Sequence, residues 1–122
     1  MKAVVLPAVL ALLPLPSMAG GFECRLTREC RAESCEDMLY TPYIDMNWGR
    51  IVLRGMPTEI TLERRGDDPA PDRWELVADL PANGLLRIEI DTSDNSAVFT
   101  TFSRRGDEPR VVTVTGTCEA RG

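Results

Sequence analysis

Histidine is absent from the chain, and its single lysine, Lys2, lies at the extreme N-terminus. Both absences restrict chemistry. Ser-His-Asp and Cys-His catalysis need an imidazole to take the proton from the nucleophile, so neither is available. A Ser-Lys pair is excluded in any mature form that has lost Lys2. The chain also lacks a helical pattern, with no amphipathic stretch of ten residues or more. Basic charge is in deficit as well: Lys and Arg total 14 against 19 Asp and Glu, a net charge of −5. An acidic domain repels phosphate backbones unless its arginines gather on one face, so nucleic acid is not an expected partner.

What is present begins with a leader. Met1 and Lys2 form a short basic start, Ala3 to Leu15 is apolar apart from Pro7 and Pro14, and Ser17-Met18-Ala19 offers small residues where a signal peptidase reads. This is the layout of a secretory signal peptide, with cleavage expected after Ala19. A membrane anchor asks for about 20 apolar residues, more than this proline-broken run supplies. The expected mature chain, residues 20–122, is one soluble domain with no membrane span, periplasmic or secreted. At about 100 residues it buries roughly 65% of its unfolded surface, enough for one core.

Export decides what the cysteines mean. Cys24, Cys30, Cys35 and Cys118 form an even set, and in an oxidising compartment such a set reads as a disulfide framework. A zinc site built from all four is the rival reading, and without histidine it is not preferred. The thiol-exchange spacing, with two residues between cysteines, does not occur. No metal and no cofactor is expected.

The remaining signal is alternation. Phe22, Cys24 and Leu26 share one face of a strand, opposite Glu23, Arg25 and Thr27. Tyr40, Ile44, Met46 and Trp48 share a parity across residues 39 to 48, where Pro42 implies an edge or irregular start. Ile51 and Leu53, then Ile60 and Leu62, mark two short strands on either side of Gly55-Met56-Pro57. Trp74, Leu76 and Ala78 alternate in the next, followed by Pro81-Ala82-Asn83-Gly84, whose Asn-Gly pair marks a tight hairpin. Leu86, Ile88 and Ile90 define a sixth strand. Phe99 and Phe102 lie on opposite parities of a seventh, and Val112, Val114, Gly116 and Cys118 alternate in the last.

About eight short strands with short connections predict an all-β fold, a small antiparallel up-and-down barrel that removes its edges by pairing the first strand with the last. Four cysteines permit three connectivities. Cys24 and Cys118 occupy apolar-parity positions in the first and last strands, so a Cys24–Cys118 disulfide is expected to clamp the closure. Cys30 and Cys35 then pair by elimination.

Such a chain, with Phe22-Glu23-Cys24 at one end and Gly116-Thr117-Cys118 at the other, resembles the small periplasmic β-barrels of the lysozyme-inhibitor family. The resemblance implies a secreted barrel that binds a protein. Inhibitors of that family use a lysine among their contacting groups, and residues 20–122 contain none, so no inhibitory residue is carried over. The run Glu23-Cys24-Arg25-Leu26-Thr27-Arg28-Glu29-Cys30 is also similar to uncharacterised secreted proteins of Gram-negative bacteria.

Several local patterns compete for a functional reading. A carboxylate pair is the one catalytic device left, and Asp45 with Glu59, or Asp91 with Asp94, can be nominated. With so many acids in a small domain, solvated strand faces and turns explain such pairs, and no catalytic residue is assigned. Arg64-Arg65-Gly66-Asp67-Asp68-Pro69 and Arg104-Arg105-Gly106-Asp107-Glu108-Pro109 are near copies. Gly-Asp followed by Pro is turn chemistry. If both turns leave the barrel at one end, Arg64, Arg65, Arg104 and Arg105 form a basic patch for an acidic partner or an anionic glycan. Asp91-Thr92-Ser93-Asp94-Asn95 spaces oxygens as some calcium loops do, but it lacks their glycine and distal glutamate, so a turn is expected. Tyr40 and Trp48 are expected in the core or at its mouth, and Tyr43 on the surface.

The function expected from these features is binding, most simply of another protein, in an inhibitor-like or envelope-accessory role rather than as an enzyme. Carriage of a small apolar ligand inside a partly empty barrel is the alternative. A carboxylate-dependent hydrolase comes third.

Overall fold

A computed structural model describes residues 20–47, 49–55, 57–65, 72–105 and 108–121. Residues 1–19, on which the expected signal peptide falls, Trp48 and the tips of both Arg-Arg-Gly-Asp turns lie outside the described residues. Among the described residues the elements are all strands: β1 (Gly21–Arg31), β2 (Ser34–Tyr40), β3 (Tyr43–Asn47), β4 (Arg50–Arg54), β5 (Ile60–Arg65), β6 (Arg73–Leu80), β7 (Gly84–Asp91), β8 (Ser96–Arg105) and β9 (Glu108–Arg121). They form one antiparallel sheet in the order β2-β1-β3-β4-β5-β6-β7-β8-β9, and β1 also pairs with β9. The expected barrel is therefore present, with eight strands closing and one added.

The added strand is β2, which sequence alternation does not reveal. It runs antiparallel to the outer half of β1, from Arg31 opposite Ser34 to Leu26 opposite Tyr40. β3 then takes up the same edge of β1, with Glu23 opposite Tyr43 and Phe22 opposite Ile44. The two strands are one path along β1, broken at Thr41-Pro42. Proline has no N–H to give to a ladder, which explains the break. The buried Pro42 keeps its place through its carbonyl, which accepts a hydrogen bond from the Cys24 N–H at 2.9 Å.

Closure depends on the β1–β9 ladder, which runs from Gly21 opposite Arg121 to Arg31 opposite Val112, with a bulge at Thr27. Gly116 sits across from Leu26 just before that bulge. A Cβ there would lie 2.0 Å from the Arg25 carbonyl oxygen and 2.7 Å from the Leu26 Cα, so the strands can approach this closely only around glycine. Within the same ladder Cys24 faces Cys118, and the two form a disulfide across 94 residues. Cys30 and Cys35 form the second, spanning 5 residues.

Inward positions carry the core. Phe22, Leu26, Ile44, Leu53, Leu76 and Ile88 are each at most 2% exposed, as alternation implied. The ambiguous parity of β8 resolves in favour of Phe99, which is buried, while Phe102 is 39% exposed. Trp74 packs edge-on against Phe22 with ring centroids 5.6 Å apart.

Strand direction defines two ends. The β1–β2, β4–β5, β6–β7 and β8–β9 connections lie at one, called the hairpin end. The β3–β4, β5–β6 and β7–β8 connections lie at the other, with the described chain termini, Gly20 and Arg121.

Candidate functional site

The four arginines singled out in the sequence are not brought together. β5 runs toward the terminal end and β8 toward the hairpin end, so Arg64-Arg65 and Arg104-Arg105 stand at opposite ends of the barrel. The condition for a joint basic patch is not met. Counting strand directions could have shown this, because strands separated by an odd number of steps in a meander run oppositely. Arg64 also has a local task. It follows Ile60 and Leu62 on the inward parity of β5, and its guanidinium carbon lies 3.5 Å from the centre of the Trp74 ring. It thus lids the indole at the terminal end through a cation–π contact. Arg104 instead lines a groove of ≈ 340 Å³ with Asn83, Phe102, Ser103 and Pro109. Phe102 and Val111, directly opposite each other, are both exposed apolar residues on this outer wall.

The nominated carboxylates have local partners too. Arg54 lies between Asp45 and Glu59: its Nε donates to Asp45 Oδ2 at 3.0 Å and its Nη1 to Glu59 Oε1. The hydrogen bond to Asp45 is the main cause raising the Arg54 pKa above its ordinary value. Asp91 accepts from the Ser93 N–H at 2.9 Å and from the Ser93 hydroxyl at 2.5 Å. Asp94 accepts from the Ser96 N–H at 2.9 Å, and this bond is the main cause lowering its pKa. Both are side-chain-to-backbone turns, which hold the β7–β8 connection. Asn95 completes it in the left-handed region, at φ 65°.

The site with the most distinctive construction is the β1–β2 hairpin. Its two-residue turn, Ala32-Glu33, has Ala32 at φ 51°, and the Cys30–Cys35 disulfide crosses the second residue pair. β1 and β2 run on here beyond the point where β4 ends, at Arg54 opposite Tyr43. Among the described residues β2 has a strand partner only on its β1 side, leaving its outer edge open. Leu39 is 63% exposed on this strand. Glu29, Arg31, Ser34 and Glu36 line a shallow hollow of ≈ 370 Å³, with Arg31 Nη2 3.5 Å from Glu29 Oε1. At the base of the overhang the Tyr40 hydroxyl donates to the Gly55 carbonyl at 3.3 Å, and burial raises its pKa. Tyr43 is outward, as expected, with the Arg121 guanidinium 5.4 Å from its ring centre.

The fold and this hairpin define a disulfide-clamped, eight-stranded antiparallel β-barrel with a stapled overhang. No protein-family model, curated protein or solved structure matches the chain. Among the described residues no group of three or more metal-ligating side chains comes together, and no helix is long and apolar enough to cross a membrane.

Proposed function

We propose that this barrel acts by binding another protein, outside the cytoplasm, and that the β1–β2 hairpin is its recognition element. The observation that carries the reading is the placement of a whole disulfide on an exposed overhang. β1 is held here by β9 as well, but β2 is laddered to β1 alone and buries little apolar surface, so its own packing holds it weakly. The chain-entropy estimate for closing so short a loop is about 2 kcal/mol, enough to hold the overhang in one shape. A rigid edge loses less entropy on association, which favours affinity. The exposed Leu39 and the open backbone edge of β2 supply the contact surface.

Two disulfides support an oxidising compartment, periplasmic or extracellular. Inward positions filled by fully buried side chains favour action by the surface over carriage of an apolar ligand inside. An inhibitor-like role toward a lysozyme is the first case to examine, given the resemblance in architecture.

The test is a pull-down from periplasmic extract, with purified lysozymes as defined candidates, followed by titration calorimetry on any captured protein. Binding should weaken at least tenfold in Leu39→Asp and in the double variant Cys30→Ser/Cys35→Ser, while circular dichroism stays that of the parent. A partner held equally well by the parent and both variants refutes the hairpin reading.

A further inference from the structure

The ladder between β5 and β6 is incomplete. Glu63, Arg64 and Arg65 pair with Val77, Leu76 and Glu75. In the same register the next pairs would be Leu62 with Ala78, Thr61 with Asp79 and Ile60 with Leu80. None of these forms. Residues 60–62 pair only with β4, and residues 78–80 only with β7. The two strands part toward the hairpin end, and a groove of ≈ 650 Å³ opens between Ile60 and Thr61 on one side and Asp79 and Leu80 on the other, with Pro57 and Pro81 at its mouth.

Two strand edges thus face each other across a gap, each with backbone groups that no neighbouring strand takes up. Edge backbone of this kind pairs readily with an added extended segment, and side chains on alternating sides of that segment then read the walls. The walls here differ in chemistry. Ile60 and Leu80 have the parity of the core residues Leu62 and Ala78 and pack against the core. Thr61, Asp79 and Glu59 have the outward parity, as does Glu63 where the strands meet. Glu59 is bound to Arg54, whereas Asp79 and Glu63 have no ion pair among the described residues.

We infer that the β5–β6 seam is an acceptor for an extended segment of a partner protein, in which apolar residues alternate with lysine or arginine. The apolar side chains pack on Ile60 and Leu80, the basic ones meet Asp79 and Glu63, and the backbone takes up edge groups of Ile60, Thr61, Asp79 and Leu80. The seam lies on different strands from the stapled hairpin and does not depend on it.

The experiment uses the mature chain with a fluorescently labelled peptide, Lys-Val-Lys-Val-Lys, and a Glu-Val-Glu-Val-Glu control. Anisotropy should report saturable binding of the first at millimolar concentration or below, and at least tenfold weaker binding of the second. Amide hydrogen exchange should show new protection at residues 60–61 and 79–80. Asp79→Lys, a change at an exposed outward position, should weaken binding at least fivefold, and Thr61→Lys should do the same. Cys30→Ser/Cys35→Ser should leave it unchanged, which separates this site from the hairpin. No saturable binding, equal binding of the acidic peptide, protection elsewhere, or loss of binding in the hairpin variant but not in Asp79→Lys would each overturn the proposal. So would sedimentation showing the seam already occupied by a second copy of the chain.

Discussion

The two disulfides of this barrel should differ in what they contribute by the logarithm of the loops they close. Cys24 and Cys118 are 94 residues apart, Cys30 and Cys35 only 5. In the chain-entropy account the first removes about 4.7 kcal/mol of unfolded-state freedom at 25 °C and the second about 2 kcal/mol. The perturbation is Cys24→Ala/Cys118→Ala beside Cys30→Ala/Cys35→Ala. Both long-range cysteines are buried, and alanine keeps their sites apolar. The ladder that carries them, from Gly21–Arg121 to Arg31–Val112, remains to close the barrel, so the variant should still fold. A domain of this size has a total stability of about 5–15 kcal/mol, and losing the long clamp takes a large part of it. Urea unfolding followed by far-UV circular dichroism is the assay. With m of about 1–3 kcal/mol/M, the midpoint of the long-clamp variant should fall by about 1.5 M or more, at least twice the fall of the short-staple variant. Equal falls, or a larger fall for the short staple, would refute loop entropy as the main contribution of the Cys24–Cys118 bridge.

Gly116→Ala should destabilise by about 1–3 kcal/mol or more, because its Cβ meets β1 backbone rather than a movable side chain; thermal unfolding checks this. Leu76→Ala, at a fully buried core position, should cost about 2–5 kcal/mol, while Leu39→Ala on the overhang should change stability by no more than about 0.5 kcal/mol. A comparable loss in both would mean the overhang packs as core. The Asp94 pKa is lower in the folded chain than its ordinary value, so its contribution is full above the ordinary carboxylate range and is lost as pH falls through the folded value. The stability difference between the parent and Asp94→Asn should therefore be greatest near pH 7 and shrink below about pH 4, measured as urea midpoints across pH.

Much of the barrel was legible because a barrel wall has one face on the core and one in water, which writes a period of two into each strand. Phe22, Cys24 and Leu26, or Leu86, Ile88 and Ile90, show it plainly, and every one of them is buried. The pairing of Cys24 with Cys118 followed from the same parity. β2 escaped notice for the converse reason. Most of Ser34–Tyr40 is exposed, only Met38 and Tyr40 being partly buried, so no apolar face marks it. The repeated Arg-Arg pairs could share one surface as far as local sequence goes, and Arg64-Arg65 and Arg104-Arg105 stand at opposite ends in the fold.

Chain order alone determined the all-β class, the inward residues and the closure by a disulfide, since solvent contrast along a strand is a local property that each residue records. Where the ladders stop was decided only in three dimensions. The open edge of β2 exists because β4 ends short of it, whereas the β5–β6 seam exists because two strands that both continue part from each other. Their backbone groups are the same in every residue, so no side-chain pattern announces which of them will be left without a neighbour.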